Sequence, residues 1–528
     1  MLSLFVTVMA GIALFAQDKV IDLTGPWDLS LGDSTKYSDY VMLPGSIQAD
    51  GAVWYKRTVY VPQSWAKQRM VLHLERPHTE TTVYVNGAEV GQQQSMAVPH
   101  EYDVSRSIVP GQRNTIAVKV FNGNGKDHWN GIVGKMALNC QPSKLYIQRV
   151  RVRPDMEKGK LHLDIEVNGA GVAYLFAFDD MEIAICKDGD ENGDIYLLHA
   201  ELNRQRTSVD IPVVDKLLLW DAFRPNVYRL GISVGDDYYE TTFGMRGFDI
   251  EDHQLFLNDK PIWLRGIVDD GSSLATNALL AGEDSWTNIF AKYKEYGLNY
   301  VHFDAYCPPE AAFVAADKLG LYLQPELSQL EESRRMVDTY GHHPSFMQLR
   351  DSLNLPIIAN RDSGEAQISF YKEEIERNLL ASDCAGFQIP AQDIPWIGKG
   401  DTNLQKWLEF CSPVVPLAEL QRQTFTTADT LVVPVQAYNA MFGNLSPVRT
   451  SYYIADGDRH VLAGGQLAGG VLPVGKNLGL GTVRFPLADI KQPTKLTLSV
   501  AITNTFRNHW DFWVYPEETH PEDTSTLR

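Results

Sequence analysis

Basic residues are under-represented in this chain. Its 528 residues carry 47 Lys and Arg against 66 Asp and Glu, a net charge of -19. A surface of that sign repels phosphate, so nucleic acid is excluded as a natural partner. Cysteine is also scarce. Cys140, Cys186, Cys307, Cys384 and Cys411 lie far apart. No Cys-x-x-Cys pair or Cys/His cluster marks a metal site, and five thiols cannot all pair within one chain. They are expected to be buried structural residues. Beyond the first 16 residues there is no run of about 18 apolar residues, which excludes further membrane-spanning helices. The opening MLSLFVTVMAGIALFAQ is too short to span a membrane and fits the apolar stretch of a signal peptide. A leader over residues 1–17 and a secreted or periplasmic location are therefore expected.

What is abundant points elsewhere. The chain is 44% hydrophobic, enough for well-buried cores, and its length suggests roughly three or four domains. Eleven Trp and 23 Tyr supply flat, amphipathic rings that suit sugars, although most aromatics are core residues.

Residues 18–150 read as all-β. Short alternating runs such as VLHLE, TTVYVNG and NTIAVKVFN are separated by Gly, Pro and Asn. Val83-Tyr84-Val85 running into Asn86-Gly87 predicts a hairpin. Residues 151–246 carry a second set (KLHLDIEV, VAYLFAF, DIYLLHAEL, VYRLGISVG) that fits an immunoglobulin-like sandwich. From 247 to 420 the pattern changes to parallel βα units. Strands are expected over 261–266, 298–303, 321–324 and 385–389, and helices over 285–296, 309–319, 366–380 and 404–410. The run GHHPSFMQLRDSLNL at 341–355 reads as a further barrel strand. Strands return over 421–516, and residues 517–528 read as a disordered tail.

Several collinear stretches carry a resemblance. Leu23-Thr24-Gly25-Pro26-Trp27, Leu43-Pro44-Gly45-Ser46 and Trp54-Tyr55-Lys56-Arg57 open the first sandwich. Pro225-Asn226-Val227-Tyr228 and Phe243-Gly244-Met245-Arg246 close the second. Leu257-Asn258-Asp259-Lys260-Pro261, Leu264-Arg265-Gly266 and Cys307-Pro308-Pro309-Glu310-Ala311-Ala312-Phe313 follow. This ordered set resembles glycoside hydrolase family 2, the β-galactosidase and β-glucuronidase group. The resemblance implies a multidomain β and α/β protein. Its order is an N-terminal jelly-roll β-sandwich of the sugar-binding type, an immunoglobulin-like β-sandwich, a (β/α)8 TIM-type barrel and a C-terminal β-sandwich. It implies action on O-glycosidic bonds of β-linked glycans and a glycan or oligosaccharide as partner. No motif requires a cofactor or metal, although some members of the family use Mg²⁺ or Na⁺.

The family's catalytic positions are altered. A retaining glycosidase needs two carboxylates about 5–5.5 Å apart. The acid/base slot after the His-Pro-Ser-Phe step falls at Asn354, with Asp351 three residues early. The nucleophile slot falls at Arg361, beside Asp362. The region from 247 to 410 is about two-thirds of the typical barrel length, so an incomplete barrel short of one or more βα units is expected. Asp362, Glu326 and Asp351 remain as candidate carboxylates. His302, Asp304, Asp393 and Trp396 are candidate substrate contacts. Three readings stay open: a glycosidase using non-standard carboxylates, a carbohydrate-binding pseudoenzyme, and a decayed glycosidase whose barrel does not close.

Overall fold

The structure is a computed structural model. It describes residues 19–32, 36–123, 128–168, 180–189, 196–202, 205–213, 216–271, 282–349, 353–360, 364–381, 384–394, 403–475 and 477–517. The expected leader, the VAYLFAF run, Asp351, Asp362, Trp396 and the residues from 518 onward lie outside the described residues. The chain divides into two units: residues 1–247, 267–292 and 299–350 in the first, and 248–266, 293–298 and 351–528 in the second.

The first unit begins with two antiparallel sheets. A six-stranded sheet is ordered Asp39–Leu43, Gly25–Leu31, Ala52–Tyr60, Arg113–Phe121, Glu80–Val85, Ala88–Gln94. A four-stranded sheet holds Val20–Asp22, Met136–Gln141, Arg69–Leu74 and His100–Asp103. Period-2 alternation aims Val53, Tyr55, Val83, Val85, Ile116 and Val118 at one apolar core. The predicted hairpin forms between Glu80–Val85 and Ala88–Gln94. Asn86 and Gly87 take φ of 51° and 85°, the left-handed pair that a two-residue turn requires.

His100 is fully buried here, with Nδ1 2.6 Å from Thr81 Oγ1. Burial lowers its pKa from 6.5 to about 4. The folded state therefore holds it neutral, while the unfolded chain takes up a proton below pH 6.5. Stability from this group is complete above pH 6.5 and is lost as pH falls toward 4, by roughly 3 kcal/mol. We expect His100→Gln to flatten this part of the acid limb in denaturant titrations run between pH 7 and 4. An unchanged slope would contradict the assignment.

A second pair of sheets follows. Tyr146–Asp155, Lys160–Asn168 and Arg206–Pro212 form one. Tyr196–Glu201, Asp180–Lys187, Tyr228–Val234 and Asp237–Phe243 form the other. Leu161, Leu163, Ile183, Ile185, Leu230 and Ile232 build their core.

The parallel βα part starts at β1 (Leu264–Asp269), which begins in the second unit and ends in the first. The expected strand at 261–266 is corrected: Lys260–Pro261 ends an antiparallel meander with 248–251 and 254–257, and β1 starts three residues later. α1 (Glu283–Glu295), β2 (Tyr300–Phe303), α2 (Glu310–Leu319) and β3 (Tyr322–Pro325) follow. β2 and β3 are parallel in the register Tyr300↔Tyr322 to Phe303↔Pro325. α2 ends at Gly320, φ 74°, whose N–H bonds Ala316 C=O at 2.8 Å. A Cβ there would sit 2.5 Å from Ala222 O, so both the left-handed turn and the close approach need glycine.

α3 (Leu330–Tyr340) was not expected. The His-Pro-Ser-Phe step is also corrected: Gly341–Ser345 are turn and bend, and only Phe346 pairs, as a parallel bridge to Leu323. The quoted Cys-Pro-Pro-Glu motif gains a physical role. Arg76 of the first sandwich donates to Pro308 O at 3.1 Å and to Cys307 Sγ at 3.0 Å. Glu75 Oε1 accepts the Glu310 N–H at 2.5 Å, covering the positive N-terminus of α2.

In the second unit, α4 (Glu365–Ala381) precedes β4 (Gly386–Pro390). Leu264 N–H donates to Ala385 O, and Ile357 bridges Gln388 in the parallel sense. The remaining strands make two sheets. Val414–Ala418, Thr430–Asn439 and Leu478–Pro486 form one. Thr424–Thr426 joins β5 (Leu445–Asp456), Val461–Leu472, β6 (Thr494–Ile502) and β7 (Phe506–Tyr515) in the other. Leu431, Val433, Ile454, Leu498, Phe512 and Val514 fill the space between them. All five cysteines are buried, and among the described residues none forms a disulfide.

Candidate functional site

Parallel strands present function at their C-terminal ends. In the first unit β1, β2 and β3 end side by side, with Asp269 C=O accepting the Asp304 N–H at 2.8 Å and Phe303 C=O accepting the Glu326 N–H at 3.0 Å. His302 Nε2 lies 2.8 Å from Glu326 Oε2. The His302 side chain is 13% exposed and that of Glu326 59%, so the imidazole is held from below and the carboxylate faces outward. Tyr300 OH donates to Gln324 Oε1 at 2.7 Å beneath them. Burial, followed by the nearby Glu326 charge, pushes the Tyr300 phenol well above its ordinary range.

Asp304 and Glu326 each directly follow the register pair Phe303↔Pro325. Neighbouring strands lie about 4.8 Å apart, which sets two exposed carboxylates on adjoining strand ends. Sequence reasoning paired Asp362 with Glu326 or Asp351 and took Asp304 as a substrate contact. The register that sets Asp304 beside Glu326 comes from the β2–β3 pairing and is not carried by either strand's own pattern.

Other expected residues divide. Asp393, in the 3-10 turn after β4, accepts the Asn360 N–H on Oδ2 at 3.1 Å. Its carbonyl accepts Gln367 Nε2 at 2.6 Å, so it ties the segment before α4 to the strand end. Asn354, in the family's acid/base slot, uses its C=O to accept the Ala385 N–H at 2.9 Å. Asp351, Asp362 and Trp396 lie outside the described residues.

One group was missed in sequence. Glu310, His342 and His343 bring a ligand atom each to within 4.8 Å of one another. The adjacent His-His pair was the available signal. His343 Nδ1 is 2.6 Å from buried Asp317 Oδ2, and His342 Nε2 is 2.9 Å from Thr241 Oγ1. These bonds hold the 341–346 turn against α2 and the second sandwich. The donor types would suit a borderline-soft divalent ion.

The second unit contains a cleft of ≈ 1450 Å³ between α4 and the outer face of the sheet holding β5, β6 and β7. In its floor Lys372 Nζ bonds Asn508 Oδ1 and His509 O, both at 2.5 Å, and meets Glu409 Oε2 at 3.2 Å. Burial raises the Glu376 pKa, against the pull of Lys372 and of hydrogen bonds from Trp510 and Asn508.

Comparison with known proteins agrees with this architecture. Residues 22–131 match the family described as glycosyl hydrolases family 2, sugar binding domain. Residues 429–516 match a domain of unknown function, DUF8488. A β-galactosidase of Leuconostoc mesenteroides is 21% identical over 437 residues, covering 79% of this chain and 40% of its own length. A β-glucuronidase of Paenibacillus borealis is 24% identical over 314 residues, covering 52% of this chain and 50% of its own. The chain spans about two-fifths of the length of the β-galactosidases it matches. Among solved structures, a β-glucuronidase from Ruminococcus gnavus superposes with a TM-score of 0.52 at 16% identity, covering 67% of this chain and 69% of that one. A β-D-glucuronidase from Dictyoglomus thermophilum gives 0.52 at 17%, covering 75% and 81%. With a sugar-binding domain of that family at its start and β-galactosidases and β-glucuronidases among its relatives and fold neighbours, the chain is a glycoside hydrolase family 2-like protein.

Proposed function

We propose that this protein acts on β-linked glycans as a glycosidase, at the strand ends that carry Glu326. The supporting observation is the juxtaposition of Glu326 with Asp304, one residue beyond the Phe303↔Pro325 pair, with His302 at 2.8 Å from Glu326 Oε2. The shared register sets the two exposed carboxylates on neighbouring strand ends, as a retaining pair requires. In this reading one carboxylate attacks the anomeric carbon and the other delivers a proton to the leaving oxygen. His302, bonded to Glu326, orients it. The parallel βα units form part of a TIM-type barrel with fewer units than eight.

A retaining pair predicts the stereochemistry. Proton NMR of an aryl β-galactoside, β-glucuronide or β-mannoside during turnover should show the β-anomer of the sugar first, before mutarotation. First appearance of the α-anomer would contradict a retaining pair.

A second reading is glycan binding without turnover. It is favoured by Asn354 and Arg361 standing where the family places its two glutamates. Under that reading no aryl glycoside is hydrolysed, while oligosaccharide binding persists in the same sample.

A further inference from the structure

The cleft of the second unit is built differently from the strand-end site. β5, β6 and β7 are consecutive antiparallel neighbours, and residues directly opposite each other share a face. Tyr453, Ser499 and His509 form one cross-strand row. Ala455, Thr497 and Asp511 form the next, and Lys495 with Trp513 a third. All three rows line the cleft. The opposite face of the same strands carries Ile454, Leu498 and Phe512, each fully buried. Alternation therefore spends one face on the core and leaves the other as a polar grid with two exposed rings. Tyr453 is 47% exposed and Trp513 37%.

Three ion pairs lie in the cleft, and its lining holds seven carboxylates against five Lys and Arg, a small acidic excess. Lys495 Nζ meets Asp511 Oδ2 at 2.7 Å, Lys406 Nζ meets Glu365 Oε1 at 2.5 Å, and Lys372 meets Glu409 at 3.2 Å. That excess disfavours an anionic ligand, and the paired lysines offer it no unpartnered cation. Thr497 Oγ1 donates to Asp511 Oδ1 at 2.7 Å, fixing that carboxylate as an acceptor. The volume, ≈ 1450 Å³, exceeds the roughly 300–1,000 Å³ of a small-molecule pocket, so an extended ligand fits better than a single ring.

We propose that this cleft binds a neutral oligosaccharide, with Trp513 and Tyr453 as stacking platforms and Ser499, Thr497 and Asp511 as hydrogen-bonding partners. Flat aromatic faces take the C–H side of a pyranose, and the interleaved hydroxyl and carboxylate groups take its hydroxyls. This assigns a binding role to a domain of unknown function. It rests on the reading that the protein handles glycans, but not on hydrolysis at Glu326.

The test is calorimetric titration of the full chain with β-1,4-linked hexasaccharides of glucose, mannose and galactose, and with hexagalacturonate as the acidic counterpart. At least one neutral hexasaccharide should bind. Trp513→Ala and Tyr453→Ala should each weaken it about tenfold, with unchanged circular dichroism. Glu326→Gln should bind it as tightly as the wild type. Both rings are surface residues, so the two variants are expected to fold, and agreement between them guards against one that does not. The proposal is overturned if no neutral hexasaccharide binds, if hexagalacturonate binds more tightly, or if both ring variants stay within twofold of the wild type. Equal loss of affinity in Glu326→Gln would also overturn it, because it would move the sugar to the strand ends.

Discussion

Asp317→Ala is expected to destabilise the first unit by about 3–5 kcal/mol, the cost of removing one partner of a buried ion pair. The Asp317 and His343 side chains are each 1% exposed. Asp317 Oδ2 is 2.6 Å from His343 Nδ1, and Oδ1 accepts the Ser345 N–H at 2.9 Å. Alanine would leave a buried imidazole and a buried amide without acceptors. The damage should reach the candidate site, because Ser345 O accepts the Leu323 N–H and Leu323 O accepts the Met347 N–H. Those bonds hold the strand that ends at Glu326. Chemical denaturation should show a lower midpoint, and amide exchange at Ser345 and Met347 should accelerate. A change under about 1 kcal/mol would show that the pair is worth no more than a surface bridge.

The same pair has a pH signature. Burial lowers the His343 pKa, but the Asp317 charge and hydrogen bond outweigh it and the net shift is upward. A raised histidine stabilises fully below its unfolded value of 6.5 and loses that contribution as pH rises through the folded value. The sign is opposite to that of His100, so the two act on opposite limbs.

Much of this architecture was legible from residue periodicity. The alternating runs of the two sandwiches and of the C-terminal sheets gave strands where they were expected, because one face of each is committed to a core. α2 and α4 lie where helices were expected, over 309–319 and 366–380, and Gly320 ends α2 with a left-handed cap. α3 was missed. Its apolar residues keep a helical spacing, with Met336 and Tyr340 four apart, but the segment is charge-rich and buries only these two. Val461–Leu472 was missed for a similar reason: it is glycine-rich and mostly exposed at a sheet edge. The 341–346 turn was misread because its apolar and polar residues mimic a strand, while Asp317, 26 residues before His343, fixes it as a turn.

The candidate site was partly legible. Glu326 and His302 were identified individually at strand ends, and the structure joins them at 2.8 Å. Their pairing depends on the β2–β3 register, which a single strand's pattern does not encode. The cleft in the second unit was invisible for the same reason. Tyr453, Thr497 and Trp513 are scattered over three strands and meet only through cross-strand pairing.

Glu326→Gln tests the central claim most directly. Glutamine keeps the shape and an oxygen for His302 but cannot transfer a proton or attack as an anion. Loss of a placed acid or base costs roughly 10²–10⁴-fold in rate. The measurement is kcat/KM for aryl β-galactoside, β-glucuronide and β-mannoside by the wild type and this variant, side by side, with melting temperatures recorded. The account predicts turnover of at least one substrate by the wild type and a fall of about 100-fold or more in a variant that melts where the wild type does. Equal turnover by the two proteins, or none by a folded wild type, would contradict it.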